Sequence, residues 1–100
     1  MSERKGKYTV RKIDANQPEI VEALRAAGAS VQILSGVGHG CPDVIVGLKG
    51  RNYLFEIKAR GGAMTRDEII WQHGWNGQYT IVRTVDQARR QNSQNATGAG

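Results

Sequence analysis

The sequence predicts an α/β fold of the α+β sandwich kind, a mixed central sheet flanked by helices. Three observations carry that expectation. Four short segments have the composition and turn boundaries of strands, and they are interleaved with helical segments whose ends are marked by capping residues. The order that results is α-β-β-β-α-β-α, with no internal repeat. At 100 residues, 39% of them apolar and 23% charged, the chain suits one folded domain with a modest core rather than a disordered polymer.

The first helix is expected over ANQPEIVEALRAAG. Asn16 can cap it, Glu19 stands three residues on as in a capping box, and Pro18 fits the first turn. Ile20, Val21, Ala23, Leu24 and Ala27 form its apolar stripe, and Gly28 stops it. SVQIL (30–34) reads as a strand, followed by the loop SGVGHGCP. VIVGL and NYLFEIKA then read as a hairpin joined around Lys49-Gly50-Arg51-Asn52. After the flexible link 60–63, Thr65 and Glu68 make a second capping box, opening a helix to about Trp75. QYTIVR (78–83) is the last strand, and Asp86 caps a short helix toward Arg90. The expected organisation is a basic arm over 1–12, a folded domain over 13–91 and a disordered tail over 92–100.

No apolar run approaches the roughly 20 residues needed to span a bilayer. MSERKGKYTVRK lacks the apolar segment of a signal peptide, and a lone cysteine, Cys41, excludes an internal disulfide, so a cytoplasmic location is expected. The formal net charge is +5, and five of the fourteen basic residues fall in the first twelve positions. Such an arm suits phosphate contact, because each neutralised phosphate releases counterions. It equally suits a solvated terminus. As phosphate contacts the candidates are Arg4, Lys5 and Lys7 of the arm, Lys49 and Arg51 at the hairpin tip, and Arg60 and Arg66 beyond it.

The hairpin carries three charges that a core hairpin has no need of: Asp43, Glu56 and Lys58. Strand side chains alternate between faces, so Glu56 and Lys58 share one face with Leu54. With the turn centred between Gly50 and Arg51, Asp43 would lie opposite Lys58 and diagonal to Glu56, on that same face. Two carboxylates about 5 Å apart repel by roughly 3 kcal/mol at an effective dielectric of 20. One lysine cannot neutralise both, whereas a divalent cation can. Oxygen ligands without clustered His or Cys point to a hard ion, Mg²⁺ or Mn²⁺. The alternative is a surface ion pair between Asp43 and Lys58 with Glu56 solvated.

Pro42-Asp43 followed by Glu56-Ile57-Lys58 resembles the PD-(D/E)XK nuclease signature, here PD…EIK. More narrowly, NQPEIVEALRAAGASV, GVGHGCPDVIVGLKG, YLFEIKA, MTRDEIIWQHGW and IVRTVDQA together resemble the small stand-alone virus-type replication-repair nuclease (VRR-NUC) domains of phages. The resemblance runs from about residue 16 to 88. It implies a restriction-endonuclease-like αβββαβ core, metal ligands at Asp43 and Glu56 with the backbone carbonyl of Ile57, and Lys58 orienting the attacking water. It also places the helix-1 acid at Glu19, whose competing role is the capping box, and a polar active-site residue at Gln72, which otherwise is an exposed helix residue.

The resemblance implies a metal-dependent, structure-selective DNA endonuclease, phage- or prophage-encoded. Within that class it implies a Holliday-junction resolvase acting as a homodimer. A nickase or flap endonuclease of phage replication, and a catalytically silent DNA-binding module with the nuclease fold, are the alternatives. No nucleotide cofactor is expected, since Gly36-Val37-Gly38-His39-Gly40-Cys41 fails the dinucleotide pattern at its last glycine and leads into a strand. His39 and Cys41 lack partners for zinc. Trp71 and Trp75, four apart, read as core or subunit interface rather than a base-stacking platform.

Overall fold

The computed structural model describes residues 14–98. The basic arm, with Arg4, Lys5 and Lys7, lies outside the described residues. The elements are α1 (Gln17–Ala26), β1 (Ser30–Ile33), β2 (Val44–Leu48), β3 (Arg51–Ile57), α2 (Arg66–Gly74), β4 (Thr80–Val82) and α3 (Val85–Gly98). This is a small α+β domain whose sheet has the order β1-β2-β3-β4. The first two pairings are antiparallel, and β3 with β4 is parallel, so the sheet is mixed. No helix among the described residues is long and apolar enough to cross a membrane.

Alternation along the strands sends Val44, Val46, Tyr53, Phe55, Ile57 and Val82 to one face, where they bury against Ile20, Val21 and Leu24 of α1 and Ala88 of α3. Phe55, Ile20, Leu24 and Ile57 are fully buried, each stabilising by about 1.5–3 kcal/mol relative to exposure. Asp43, Glu56 and Lys58 belong to the opposite face. Two sheet faces thus divide the labour: one builds the core, the other carries the charges.

The hairpin turn is tighter than expected. Leu48 pairs with Arg51, leaving only Lys49 and Gly50 as the loop, with φ of 53° and 82°. Both values are positive, as a type I′ turn requires, and that turn matches the right-handed twist of the strands. The register is therefore shifted by two residues from the expected centring, and Val44 pairs with Phe55. A shift of two preserves the faces, so the charged residues stay together.

Three helix ends differ from expectation. Asn16 makes no side-chain cap; its Nδ2 donates instead to the carbonyls of Lys58 (3.1 Å) and Arg83 (2.9 Å), so the Asn16–Glu19 capping box does not form. Those two carbonyls lie where β3 and β4 end, and they need donors. At α3 the cap is Thr84 rather than Asp86, its Oγ1 accepting the Gln87 N–H at 3.0 Å. That helix also runs to Gly98 instead of stopping near Arg90, so residues 92–98 are helical and not a disordered tail. Ala88 and Asn92, one turn apart, are both buried, and no proline or glycine interrupts the segment before Gly98. By contrast α1 ends as expected: Gly28 N–H donates to Arg25 O and Ala29 N–H to Leu24 O, the paired bonds of a Schellman motif.

β4 begins later than expected because Gln78 substitutes its side chain for backbone. Its Oε1 accepts from Leu54 N at 2.5 Å and its Nε2 donates to Leu54 O at 2.9 Å, completing the edge of β3 before the strand proper starts.

The Asn16 contacts generate a prediction. Asn16→Ala removes the donors of two half-buried carbonyls and should destabilise the domain by roughly 1–3 kcal/mol. Asn16→Asp, a good helix cap but no donor, should be about as harmful. Thermal midpoints of both variants decide the matter: rescue by Asp would return Asn16 to a capping role.

Candidate active site

The charged face of the sheet is covered by α2, and the covering is specific. Thr65 Oγ1 accepts the Glu68 N–H at 3.2 Å, and Glu68 Oε1 accepts the Thr65 N–H at 2.8 Å, the reciprocal bonds of a capping box. Glu68 is also the buried side chain of this helix, and the same Oε1 lies 2.7 Å from Lys58 Nζ. The loop before β2 presses against this helix start. Gly40, at φ 81°, has no room for a side chain, because a Cβ there would overlap the Asp67 carbonyl and approach Glu68 N. A glycine is required at that point to let the helix end sit over the sheet.

Beneath α2 the three motif residues converge. Asp43 lies one residue before β2, its Oδ2 accepting the Ile57 N–H at 2.7 Å in place of a strand carbonyl. Glu56 is 1% exposed, and no N–H among the described residues donates to either of its oxygens, while its carboxyl is within hydrogen-bonding reach of the Asp43 and Glu68 carboxyls. Its closest cation is Lys58, whose Nζ stands 3.7 Å from Oε2. The structure thus corrects the picture of Glu56 as a solvated neighbour of a surface pair: all three groups are buried, and the short ion pair of Lys58 is with Glu68, not Asp43.

The electrostatics follow from that crowding. Burial, with the charges of Asp43 and Glu68, pushes the Glu56 carboxyl up from 4.5 to about 9 against the opposing pull of Lys58. Burial disfavours the Lys58 ammonium, but the hydrogen bond and charge of Glu68, with Glu56 and Asp14, hold it above the ordinary lysine value. Burial likewise opposes ionisation of Glu68, yet Lys58 and the Thr65 backbone keep its carboxyl below the usual range. Lys58 and Glu68 are therefore a charged pair, while Glu56 carries a proton at neutral pH.

The other expected site residues divide. Gln72 is half-buried one turn after Glu68, on the same side of α2. Glu19 is exposed on α1, outside the buried cluster; among the described residues near this end of the chain, it is Asp14 whose charge reaches Lys58. Arg60 and Arg66 are exposed, two residues from Lys58 and Glu68 respectively. Lys49 and Arg51 are exposed at the hairpin tip, seven residues along the chain from Lys58 to Arg51, about 23 Å of extended strand away. Trp71 and Trp75 stack on each other at 4.7 Å between ring centroids, but Trp75 is 45% exposed and neither belongs to the core, contrary to one of the two roles expected of them.

Sequence reasoning missed two residues. Glu68 is legible locally as a capping-box member, and nothing local reports its pairing with Lys58. Burial, together with the charges of Glu56, Glu68 and Asp43, holds the Tyr79 phenol well above its usual value. Alternation along QYTIVR, which sets Tyr79 and Ile81 on one face, was the available signal.

Among the described residues no three His, Cys, Asp or Glu side chains form a ready-made metal cluster. The donor set on offer is narrower: Asp43, Glu56 and the Ile57 carbonyl. The two oxygens of buried Glu56, which accept from no N–H among the described residues, fit a hard cation, and Mg²⁺ characteristically takes one or two carboxylates and keeps several waters. The chain matches no family model, no curated protein and no solved structure.

The raised Glu56 pKa sets a pH dependence. Between about 4.5 and about 9 the folded state holds a proton that the unfolded state releases, so stability falls as pH rises through that window. Lys58 and Glu68 keep their charges across it and contribute no slope. The thermal midpoint of the protein in chelator should therefore decline from pH 5 to pH 9. Glu56→Gln should flatten the decline and raise the midpoint at pH 8 by about 4–8 °C for each kcal/mol of strain relieved. A flat wild-type profile would contradict the assignment.

Proposed function

We propose that the chain is a divalent-cation-dependent DNA endonuclease, hydrolysing phosphodiester bonds at the face between the sheet and α2. One observation carries this reading: a fully buried Glu56 that accepts from no N–H among the described residues, beside Asp43 and a charged Lys58, at the positions of the PD…EIK pattern. An apolar residue or a glutamine would be cheaper there. The resemblance to VRR-NUC domains agrees with it, and on that reading the αβββαβ order is a restriction-endonuclease-like core.

Asp43, Glu56 and the Ile57 carbonyl would hold Mg²⁺ or Mn²⁺, which supplies Lewis acidity toward a phosphate and acidifies bound water. The chain's own contribution is distinct. Glu68 holds the Lys58 ammonium charged and in place, so that Lys58 offsets negative charge developing on the phosphate. Arg60 and Arg66 flank the site as contacts to neighbouring phosphates. Lys49 and Arg51 are placed for phosphates further along the DNA. A homodimeric junction resolvase is the form of this activity we favour, because α2 exposes Ile69 (42%) and Ile70 (59%) beside Trp75, an apolar surface suited to a second copy.

A cleavage panel of four-way junctions, flaps, splayed arms and plain duplex with Mg²⁺ or Mn²⁺ tests the activity and the preferred DNA together. Asp43→Asn and Glu56→Gln should each lower cleavage at least about 100-fold while the protein stays folded. Failure of the wild type to cut any substrate, or wild-type rates in both variants, would refute the proposal. Paired symmetric nicks at junctions are expected of a resolvase; preferential flap cutting would move the assignment to a flap endonuclease. Light scattering of Ile70→Asp addresses the dimer, which this change should convert to monomer.

A further inference from the structure

Tyr79 stands immediately before β4, where Glu56 pairs with Ile81 and Phe55 with Thr80. Alternation places Tyr79 and Ile81 on the sheet face that carries Glu56 and Lys58. Its ring packs against Trp71 of α2, with 5.8 Å between centroids, so the phenol occupies the layer between α2 and the sheet. The hydroxyl is buried and has no hydrogen-bond partner among the described residues. The phenol hydroxyl is thus left without a partner on the charged face, although the charges of Glu56, Glu68 and Asp43 all reach it. The core Tyr53 also buries an unpaired hydroxyl, so what singles out Tyr79 is its place on the charged face, between Trp71 of α2 and the carboxylates of Glu56, Glu68 and Asp43.

We propose that Tyr79 is a further substrate-contacting residue, its O–H donating to a phosphate oxygen of the DNA backbone bound at Asp43 and Glu56. This inference rests on the nuclease reading above. The chemistry favours a phosphate as the acceptor. Lys58 is engaged by Glu68 at 2.7 Å, so an entering phosphate meets several carboxylates and few free donors. Burial and the neighbouring carboxylates hold the phenol above its ordinary value, so it stays an O–H donor through the neutral range. A neutral donor recognises the anion without competing with the cation for the carboxylates.

Tyr79→Phe tests this with three measurements: the thermal midpoint in chelator, Mn²⁺ affinity without DNA, and single-turnover cleavage of the panel substrate that the wild type cuts fastest, at subsaturating enzyme. The midpoint should hold or rise, because an unsatisfied hydroxyl has been removed and the ring contact with Trp71 kept. Mn²⁺ affinity should stay within about twofold. Cleavage should fall about 10- to 100-fold, the rate equivalent of one hydrogen bond to a charged group. Cleavage within twofold of wild type would overturn the inference and leave the nuclease reading intact. So would a lowered midpoint or a lost Mn²⁺ affinity, which would show that the hydroxyl shapes the metal-free protein instead of meeting substrate. A wild type that neither binds Mn²⁺ nor cuts DNA would sink the nuclease reading, and this inference with it.

Discussion

Lys58, the residue that follows β3, ties that strand's end to three further elements. Its N–H donates to Val82 O of β4 at 3.0 Å, its carbonyl accepts from Asn16 at the start of α1, and its Nζ reaches Glu68 of α2. The last contact matters most, because α2 has no apolar stripe to seat it. Its buried side chain is a carboxylate, and its isoleucines point to solvent. A helix attached by an ion pair, a glycine contact and the Trp71–Tyr79 ring contact is held in one register more than it is held strongly. Removing either charge would leave the other buried and unpaired, which costs more than the pair contributes.

That arrangement couples the geometry of the site to the fold. The position of the Lys58 ammonium is set from the backbone side by Asn16 and Val82, and from the side-chain side by Glu68. Arg83 adds a further restraint, its Nη1 donating to Ala59 O (2.9 Å) and Gly62 O (2.8 Å), so that the chain leaving Lys58 is fixed before it reaches α2. The charged face is thus surrounded by bonds to backbone rather than by apolar packing. Such bonds specify position tightly while burying little apolar area.

The sequence made the faces of the sheet legible and the partners across it illegible. Alternation grouped Asp43, Glu56 and Lys58 correctly even though the turn was centred one residue late, because that moves the pairing register by two and parity survives an even shift. The Thr65–Glu68 capping box was readable since both of its bonds are local. The Asn16–Glu19 pattern looked the same and failed, because an asparagine can donate as well as accept, and two strand-end carbonyls outcompeted the helix start. Thr84 displaced Asp86 as a cap by a two-residue margin that composition does not resolve. The length of α3 depended on the burial of Asn92, a tertiary fact. Alternation could set Tyr79 on the right face, but the partners of Glu68 and of Tyr79 are brought to them by the fold across the sheet, and spacing along the chain does not report those partners.

Glu56 explains how so many acids can be buried against one lysine. Ionised, Asp43, Glu56 and Glu68 would leave the buried face with excess negative charge that Lys58 alone cannot offset. The protein escapes by keeping Glu56 protonated, which is what its pKa of about 9 expresses. On the nuclease reading that proton occupies the place of the cation, and the two compete for the same oxygens. Binding of the cation would then release a proton, so affinity for Mg²⁺ or Mn²⁺ should rise with pH below about 9. The burial that penalises the Glu56 carboxylate is the same burial that would make a doubly charged ion there effective. On the nuclease reading, the strain of the cation-free face and its capacity for chemistry would have one physical origin.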